Sequence, residues 1–133
     1  IARLKSEGYL VIATFQHNEY STYRAQPDLV RDFRRAAQAG AVIVSGSQAH
    51  QPHGFEYYAG AFIHYGLGNL FFDQLNMEVP TTKAFIDRHV IYDGRHISTE
   101  LLVIKFIDNA RPRPATPEER QDLLETIFQH SLW

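Results

Sequence analysis

Tyr9-Leu10-Val11-Ile12-Ala13-Thr14-Phe15-Gln16-His17-Asn18-Glu19-Tyr20 changes character half-way along. Tyr9 to Phe15 is a near-continuous apolar run with β-branched residues, the pattern of a strand covered on both faces in an α/β sheet. The polar run after it is the kind of segment such a strand presents at its carboxyl end. Further on, Pro27-Asp28 opens a helix with Leu29, Val30, Phe33, Ala36 and Ala37 at helical spacing, and Gly40 closes it. A second strand, Ala41 to Val44, runs into Ser45-Gly46-Ser47-Gln48-Ala49-His50. Strand, helix and strand in this order form a βαβ unit, with parallel strands and a right-handed crossover. Both polar segments then emerge at one edge of the sheet, where open α/β sheets hold their ligands.

Upstream, Ile1 and Leu4 read as the last turns of an amphipathic helix closed by Gly8, and Ile1 to Gly8 do not resemble a signal peptide. The chain therefore reads as beginning inside a longer protein, with any export signal or anchor outside it. Downstream, Phe55 to Ala59 and Ala61 to Tyr65 flank Gly60 as a short hairpin, continuing through Gly66-Leu67-Gly68-Asn69 into Leu70-Phe71-Phe72. After a loop ending near Val79-Pro80-Thr81-Thr82, the runs Ala84 to Tyr92 and His96 to Ile107 flank Asp93-Gly94, a strong hairpin signal. Arg111-Pro112-Arg113-Pro114 reads as a stiff extended linker. Thr116-Pro117-Glu118-Glu119 starts a last helix, with Thr116 as N-cap and Glu119 completing a capping box, and this helix runs to about His130. The expectation is a single-domain fragment over 1–133, the carboxy-terminal part of a larger domain.

Composition narrows the function. With 44% hydrophobic and 21% charged residues in 133, the chain has the make-up of a folded domain. A formal net charge of -2 with mixed signs offers no basic stripe for a nucleic acid and no polybasic membrane patch. No apolar run reaches the about 18 to 20 residues of a membrane-spanning helix, so membrane contact is expected only through segments outside this chain. Without cysteine there is neither a disulfide nor a thiolate site, which leaves His, Asp, Glu, Asn and Gln as ligands. No nucleophile elbow, P-loop or dinucleotide-binding glycine motif is present.

The candidate functional residues sit in the two polar segments. Gln16, His17 and Glu19 bring an amide, an imidazole and a carboxylate to one strand end, a set suited to metal ligation or acid-base work. Ser47, Gln48, His50 and His53 come after the second strand in a turn of small residues. Gln48 and His50 share a face if that segment is extended. Each segment alone also reads as ordinary surface polarity; their convergence on one sheet edge is what favours a site. Asn69 reads either as a site residue or as a turn residue satisfying the backbone, and Asp73-Gln74 are expected to line the same edge. His64, within an apolar strand, is expected to be packed and hydrogen-bonded, and His89 and His96 to be exposed. Tyr57, Tyr58, Phe62, Tyr65, Phe71 and Phe72 are expected in the core, with a sugar or peptide platform as the lesser reading.

Four blocks in order carry a family resemblance: Val11 to Tyr20, the helix ending Ala39-Gly40-Ala41, Ile43 to His50, and Ile63-His64-Tyr65-Gly66-Leu67-Gly68-Asn69-Leu70-Phe71-Phe72-Asp73. Together, over about 9 to 73, they resemble the later half of the CapA, or poly-γ-glutamate capsule synthesis, family. Its pattern has a strand ending in His-Trp-Gly-x-Glu-Tyr, a helix, Gly-(Ser/His)-His-Pro-His, and a Ser-Leu-Gly-Asn-Phe strand. The family is similar in fold to the calcineurin-like metallophosphoesterases. The resemblance thus implies an α/β chain forming part of a four-layer α/β/β/α sandwich, with a mixed sheet and a terminal antiparallel hairpin over 84–107.

The resemblance also implies roles. His50 matches the second His of the Gly-x-His-x-His motif, and Glu19 and Tyr20 match Glu-Tyr. Gln48 stands where the family has its first His, and Gln16 where the strand-end His falls, unless a one-position slip puts His17 there. His50 and His17 are therefore the expected metal ligands, for a divalent Mn, Mg or Zn ion. Gln16, Glu19, Gln48 and Asn69 are the expected substrate-binding residues. Glutamine is a poor ligand for zinc but hydrogen-bonds an amide or carboxylate well. The implied parent protein makes or exports an anionic cell-surface polymer such as poly-γ-glutamate with other capsule-synthesis proteins, outside the cytoplasm or at the cell surface. A metal-dependent phosphoesterase acting on a phosphorylated small molecule and a noncatalytic polymer-binding or scaffold domain are the alternatives. Early Asp and Asn ligands of a metallophosphoesterase-like site would lie upstream of Ile1.

Overall fold

The computed structural model describes residues 1–71, 81–108 and 110–133. The expected βαβ unit is present. Strand β1 (Val11–Phe15) pairs in parallel with β2 (Ala41–Gly46), from Val11 opposite Ala41 to Phe15 opposite Gly46, and helix α2 (Pro27–Gln38) crosses between them. A short helix α1 (Ala2–Ser6) precedes β1, and Gly8 turns the chain with a φ of 89° that favours glycine. Leu29, Phe33, Ala36 and Ala37 form the buried face of α2, as their spacing predicts.

The first hairpin, β3 (Phe55–Tyr58) and β4 (Ala61–His64), extends the same sheet, because β4 lies parallel to β2. Its order is β1-β2-β4-β3, a mixed sheet. A second, antiparallel sheet is built from β5 (Lys83–Tyr92), β6 (Arg95–Ile107) and β7 (Arg111–Pro114). Asp93 and Gly94 both have positive φ in its tight turn. Ala61 and Ile63 of β4 pack with α2, whereas Phe62 packs with Phe85 and Val103 of the second sheet. Helix α3 (Pro117–His130) seals the seam with Leu123 and Ile127, and its capping box is formed by Thr116 and Glu119. The chain is thus α/β, with a helix, a mixed sheet and an antiparallel sheet stacked in turn.

Packing overturns three expectations. β1 is covered on one face only, since it is an edge strand beyond the reach of the second sheet and Ile12 is 50% exposed. The extended linker Arg111 to Pro114 is an edge strand paired with β6, Ile104 opposite Pro114 and Phe106 opposite Pro112. Alternate residues of a strand direct their backbone nitrogens to opposite sides, so two prolines two apart leave the inner pairing intact and blunt the outer edge. Of the aromatic cluster, Phe62 and Tyr65 are core but Tyr57 and Phe71 are 64% and 68% exposed. Phe72, Asp73, Gln74, Val79 and Pro80 lie outside the described residues.

Two polar groups are buried beside the first sheet, and one of them, Glu56, braces it. Arg34 of α2 donates two hydrogen bonds to Glu56 of β3, at 2.8 and 2.6 Å, and its guanidinium lies 4.6 Å above the Tyr58 ring. The Tyr65 hydroxyl also donates to Glu56. Glu56 is 3% exposed, so Arg34 is raised above its ordinary pKa by these bonds, and Tyr65 is raised by burial and then by Glu56. The other group, His53, is fully buried beneath Gly66, where an added Cβ would come within 2.4 Å of its ring. Burial pushes His53 down to about 4, against a smaller opposing effect of the Thr22 backbone.

Replacing Arg34 by Met should cost about 3 kcal/mol in urea unfolding, because Glu56 is left buried without a charge partner, with only the Tyr65 hydroxyl donating to it. Arg34→Lys should recover only part, having lost the two-pronged geometry; equal stability of Arg34→Met and the parent would show that the pair contributes nothing. For His53, the unfolded chain takes up a proton between about pH 6.5 and 4 that the folded chain refuses. Its contribution is therefore complete above about pH 6.5 and lost as pH falls toward 4, amounting to about 3 kcal/mol. Urea titrations of His53→Leu across that range should show a shallower pH dependence than the parent.

Candidate functional site

Parallel register brings three strand ends level. Thr14 lies opposite Ser45 and Ser45 opposite His64, so the segments leaving β1, β2 and β4 start from one edge. Ser47 ties the first two together, since both its backbone N–H, at 2.8 Å, and its hydroxyl, at 3.0 Å, donate to the Phe15 carbonyl. The segment after β4 is held from both sides. Leu67 donates its N–H to Gly46 O, and Phe85 of β5 donates to Leu67 O at 2.8 Å.

Within the first segment the side chains are sorted by α2. Asp28, in the first turn of that helix, accepts hydrogen bonds from Asn18 Nδ2 at 3.0 Å and from the Tyr20 hydroxyl at 2.6 Å. One turn later, Asp32 Oδ2 lies 3.0 Å from His17 Nε2, and His17 Nδ1 lies 3.9 Å from Asp28. Asp28 is held below the usual carboxylate range by Tyr20 and then Asn18, Tyr20 is raised by the same bond, and Asp32 is lowered by Arg31 and then His17. His17, Asn18 and Tyr20 thus anchor the loop on the helix.

Gln16 and Glu19 remain on the cleft side. The cleft encloses about 500 Å³ among Gln16, Ser47, Gln48, His50, Gly68, Asn69, Leu70 and Phe71. Glu19 Oε1 lies 3.7 Å from His50 Nε2, and the other imidazole nitrogen, Nδ1, lies 2.6 Å from Asn69 Oδ1. Asn69 is 4% exposed, so it is a built part of the wall. The side-chain amides of Gln16 and Gln48 find no hydrogen-bond partner among the described residues, and each keeps a donor pair and an acceptor.

The structure therefore gathers Gln16, Glu19, Gln48, His50 and Asn69, and places His17 apart, in a shallow hollow with Phe15, Asp32, Arg35 and Ala36. His17 stands on Asp32 and not beside His50. Asn69 serves no backbone turn; its side-chain oxygen meets the His50 ring. His64 is packed as expected, fully buried with Nδ1 2.7 Å from Asp87 and Nε2 3.1 Å from the His53 carbonyl oxygen. His89 and His96, expected to be exposed, are half-buried against Phe62 and share the Thr99 hydroxyl at 2.8 and 2.9 Å. Their hairpin folds its inner face onto β4, and burial lowers the His89 pKa. Motif reasoning missed Asp28 and Asp32, although their spacing of one helical turn on the polar side of α2 was a visible signal.

As a donor set for a divalent ion, the cleft supplies His50 and Glu19. No group of three or more His, Asp or Glu suited to a metal occurs among the described residues, and glutamine carbonyls are weak substitutes for imidazole. These residues do not complete a metal centre by themselves.

The model of one protein family, described as bacterial capsule synthesis protein PGA_cap, matches residues 1–74. The chain belongs to this family. The match spans every segment that builds the cleft, from β1 through Asn69, so the capsule-synthesis family's part of the chain and the polar edge coincide. No curated protein matches the chain. Among the described residues no helix is long and apolar enough to cross a membrane, and membership of a capsule-synthesis family points to a role at the cell surface.

Asp28→Ala would release Asn18 and Tyr20 together. Backbone amides over 17–20 should then exchange with solvent faster while the β2 amides keep their protection, as hydrogen exchange followed by mass spectrometry would show. Unchanged exchange at 17–20 would mean that the loop is held by something other than α2.

Proposed function

We propose that this chain serves capsule synthesis by binding an anionic, amide-linked polymer of the poly-γ-glutamate kind in the cleft at the carboxyl ends of β1, β2 and β4. The observation that carries the reading is the pair of amides, Gln16 and Gln48, that line one cleft and have no partner among the described residues. A primary amide offers both donor and acceptor, and so complements a secondary amide link or a carboxylate of such a polymer. An imidazole is the third polar group, supplied by His50 beside Glu19. The exposed Phe71 gives the rim an apolar surface for the methylene groups of the chain.

The chemistry of the donor set favours binding over hydrolysis. A phosphoesterase of the metal-dependent class needs a cation held firmly enough to polarise a phosphoryl oxygen, and the two strong ligands that the cleft offers among the described residues, His50 and Glu19, do not by themselves supply that. The reading is therefore a polymer-binding role within the family's work, at the cell surface and in company with other capsule-synthesis proteins.

Calorimetry with a defined oligo-γ-glutamate tests it. The intact chain should bind, and Gln48→Leu should weaken binding about tenfold, the loss of one or two hydrogen bonds to a charged or amide ligand. An oligo-α-glutamate of equal charge should bind less well. The reading fails if neither oligomer binds, or if Gln48→Leu and His50→Ala both leave the affinity unchanged. Binding that appears only after Mn, Mg or Zn is added would move the assignment to a metal-dependent site.

A further inference from the structure

We infer that the chain carries a second binding site, an aromatic groove between β3, β6 and α3 that takes a small aromatic anion, a flat ring system bearing one carboxylate or phosphate. The groove shares no lining residue with the polar cleft, so it stands independently of the polymer reading.

Each element turns one strip of side chains to the same space. On α3, Arg120, Leu124 and Phe128 are four residues apart and form one row along the helix, beside the buried Leu123 and Ile127. On β3, Phe55 and Tyr57 share a face, while Glu56 between them turns the other way to Arg34. With Phe62 of β4 and Leu101 of β6 they enclose about 470 Å³, the size of a small-molecule site. Phe55 and Phe62 are buried, with ring centroids 5.7 Å apart. Over them stand two rings open to solvent, Tyr57 at 5.4 Å from Phe62 and Phe128 edge-on at 5.3 Å from Phe55. Four rings that present both faces and edges to one hollow suit a fifth, which would also cover apolar surface now wetted by water. Phe55, Tyr57 and Phe62 lie within residues 1–74 and the other walls beyond them, so the groove exists only where the family's segment meets the second sheet and α3.

Charge sets the other half of the ligand. Glu100 lines the groove, but Arg88, directly opposite on β5, forms an ion pair with it. The Thr99 hydroxyl is engaged by His89 and His96. Arg120 differs, because its side chain has neither an ion pair nor a hydrogen bond among the described residues. The cause is local: the residues three and four positions away are Thr116, Pro117, Leu123 and Leu124, and none is acidic. One uncompensated guanidinium therefore stands beside an apolar surface, and its planar fork of donors matches a carboxylate or a phosphate.

Trp133 reports on the groove. It is the only tryptophan of the chain, and its ring lies 5.6 Å from both Phe55 and Phe128. In nitrogen-15 NMR, titration with naphthoate should shift the single indole N–H signal and the Tyr57 and Leu124 amides saturably, with a Kd below about 1 mM. Arg120→Gln should weaken naphthoate about fivefold or more, the loss of a charge-assisted contact, and leave naphthalenemethanol, the neutral counterpart, unchanged. Tyr57→Ser, at an exposed position, should weaken both, and the dispersion of the amide spectrum reports that each variant is folded. Decanoate, an anion without a ring, should bind less well than naphthoate. The proposal is overturned if naphthoate binding is absent, if it is unchanged in Arg120→Gln or in Tyr57→Ser, if decanoate binds as tightly, or if the shifts fall at residues 47–50 in place of the groove. Shifts of the same signals on raising the protein concentration alone, with a doubled mass in sedimentation, would give the groove to a second copy of the chain and overturn it as well. Failure of oligo-γ-glutamate to bind would sink the polymer reading and leave this site standing.

Discussion

Strand β4 is buried on both faces, and this constraint organises the molecule. Ala61 and Ile63 face α2, and Phe62 faces the second sheet. His64, on the same side as Phe62, puts a polar ring where water does not reach, and such burial is least costly when the ring is hydrogen-bonded. Asp87 of β5 and the His53 carbonyl oxygen take its two nitrogens. Because Asp87 belongs to the second sheet, that pairing joins the sheets at one register, in addition to the nondirectional packing of Phe62, Phe85 and Val103. Losing either partner would leave a buried group unsatisfied, which costs more than the bond itself returns.

The segment leaving β4 inherits its position. Tyr65 closes the Glu56 and Arg34 network on the α2 side, and Leu67 is bonded to both β2 and β5. The chain then delivers Gly68 and Asn69 next to His50. The cleft is therefore made of loops, but of loops anchored at both ends to a rigid sheet, the usual way a fold holds functional side chains steady. Helix α2 completes the arrangement from outside. By engaging His17, Asn18 and Tyr20, its two aspartates leave Gln16 and Glu19 as the cleft residues of the first loop.

The family assignment and the local chemistry pull in different directions. Membership in a capsule-synthesis family points to a role at the cell surface. The cleft itself is rich in neutral hydrogen-bonding groups and holds one imidazole and one carboxylate. The amide groups of Gln16 and Gln48 are good hydrogen-bonding partners and poor ligands for borderline metals.

Local sequence was enough to determine the βαβ unit, both hairpins, the capping box of α3 and the edge on which the polar residues collect. Each depends on short-range causes: apolar periodicity, glycine at positive φ, and a threonine placed three residues before a glutamate. The partners of individual side chains were settled only by the tertiary structure. Nothing near His17 in the sequence says that it turns to Asp32, and nothing near His50 says that Asn69 will meet it. Likewise, the burial of His89 and His96 and the pairing of Arg111 to Pro114 depend on where the second sheet lies. Such contacts join residues from separate elements, and their geometry exists only after strand register and sheet packing have brought those elements together.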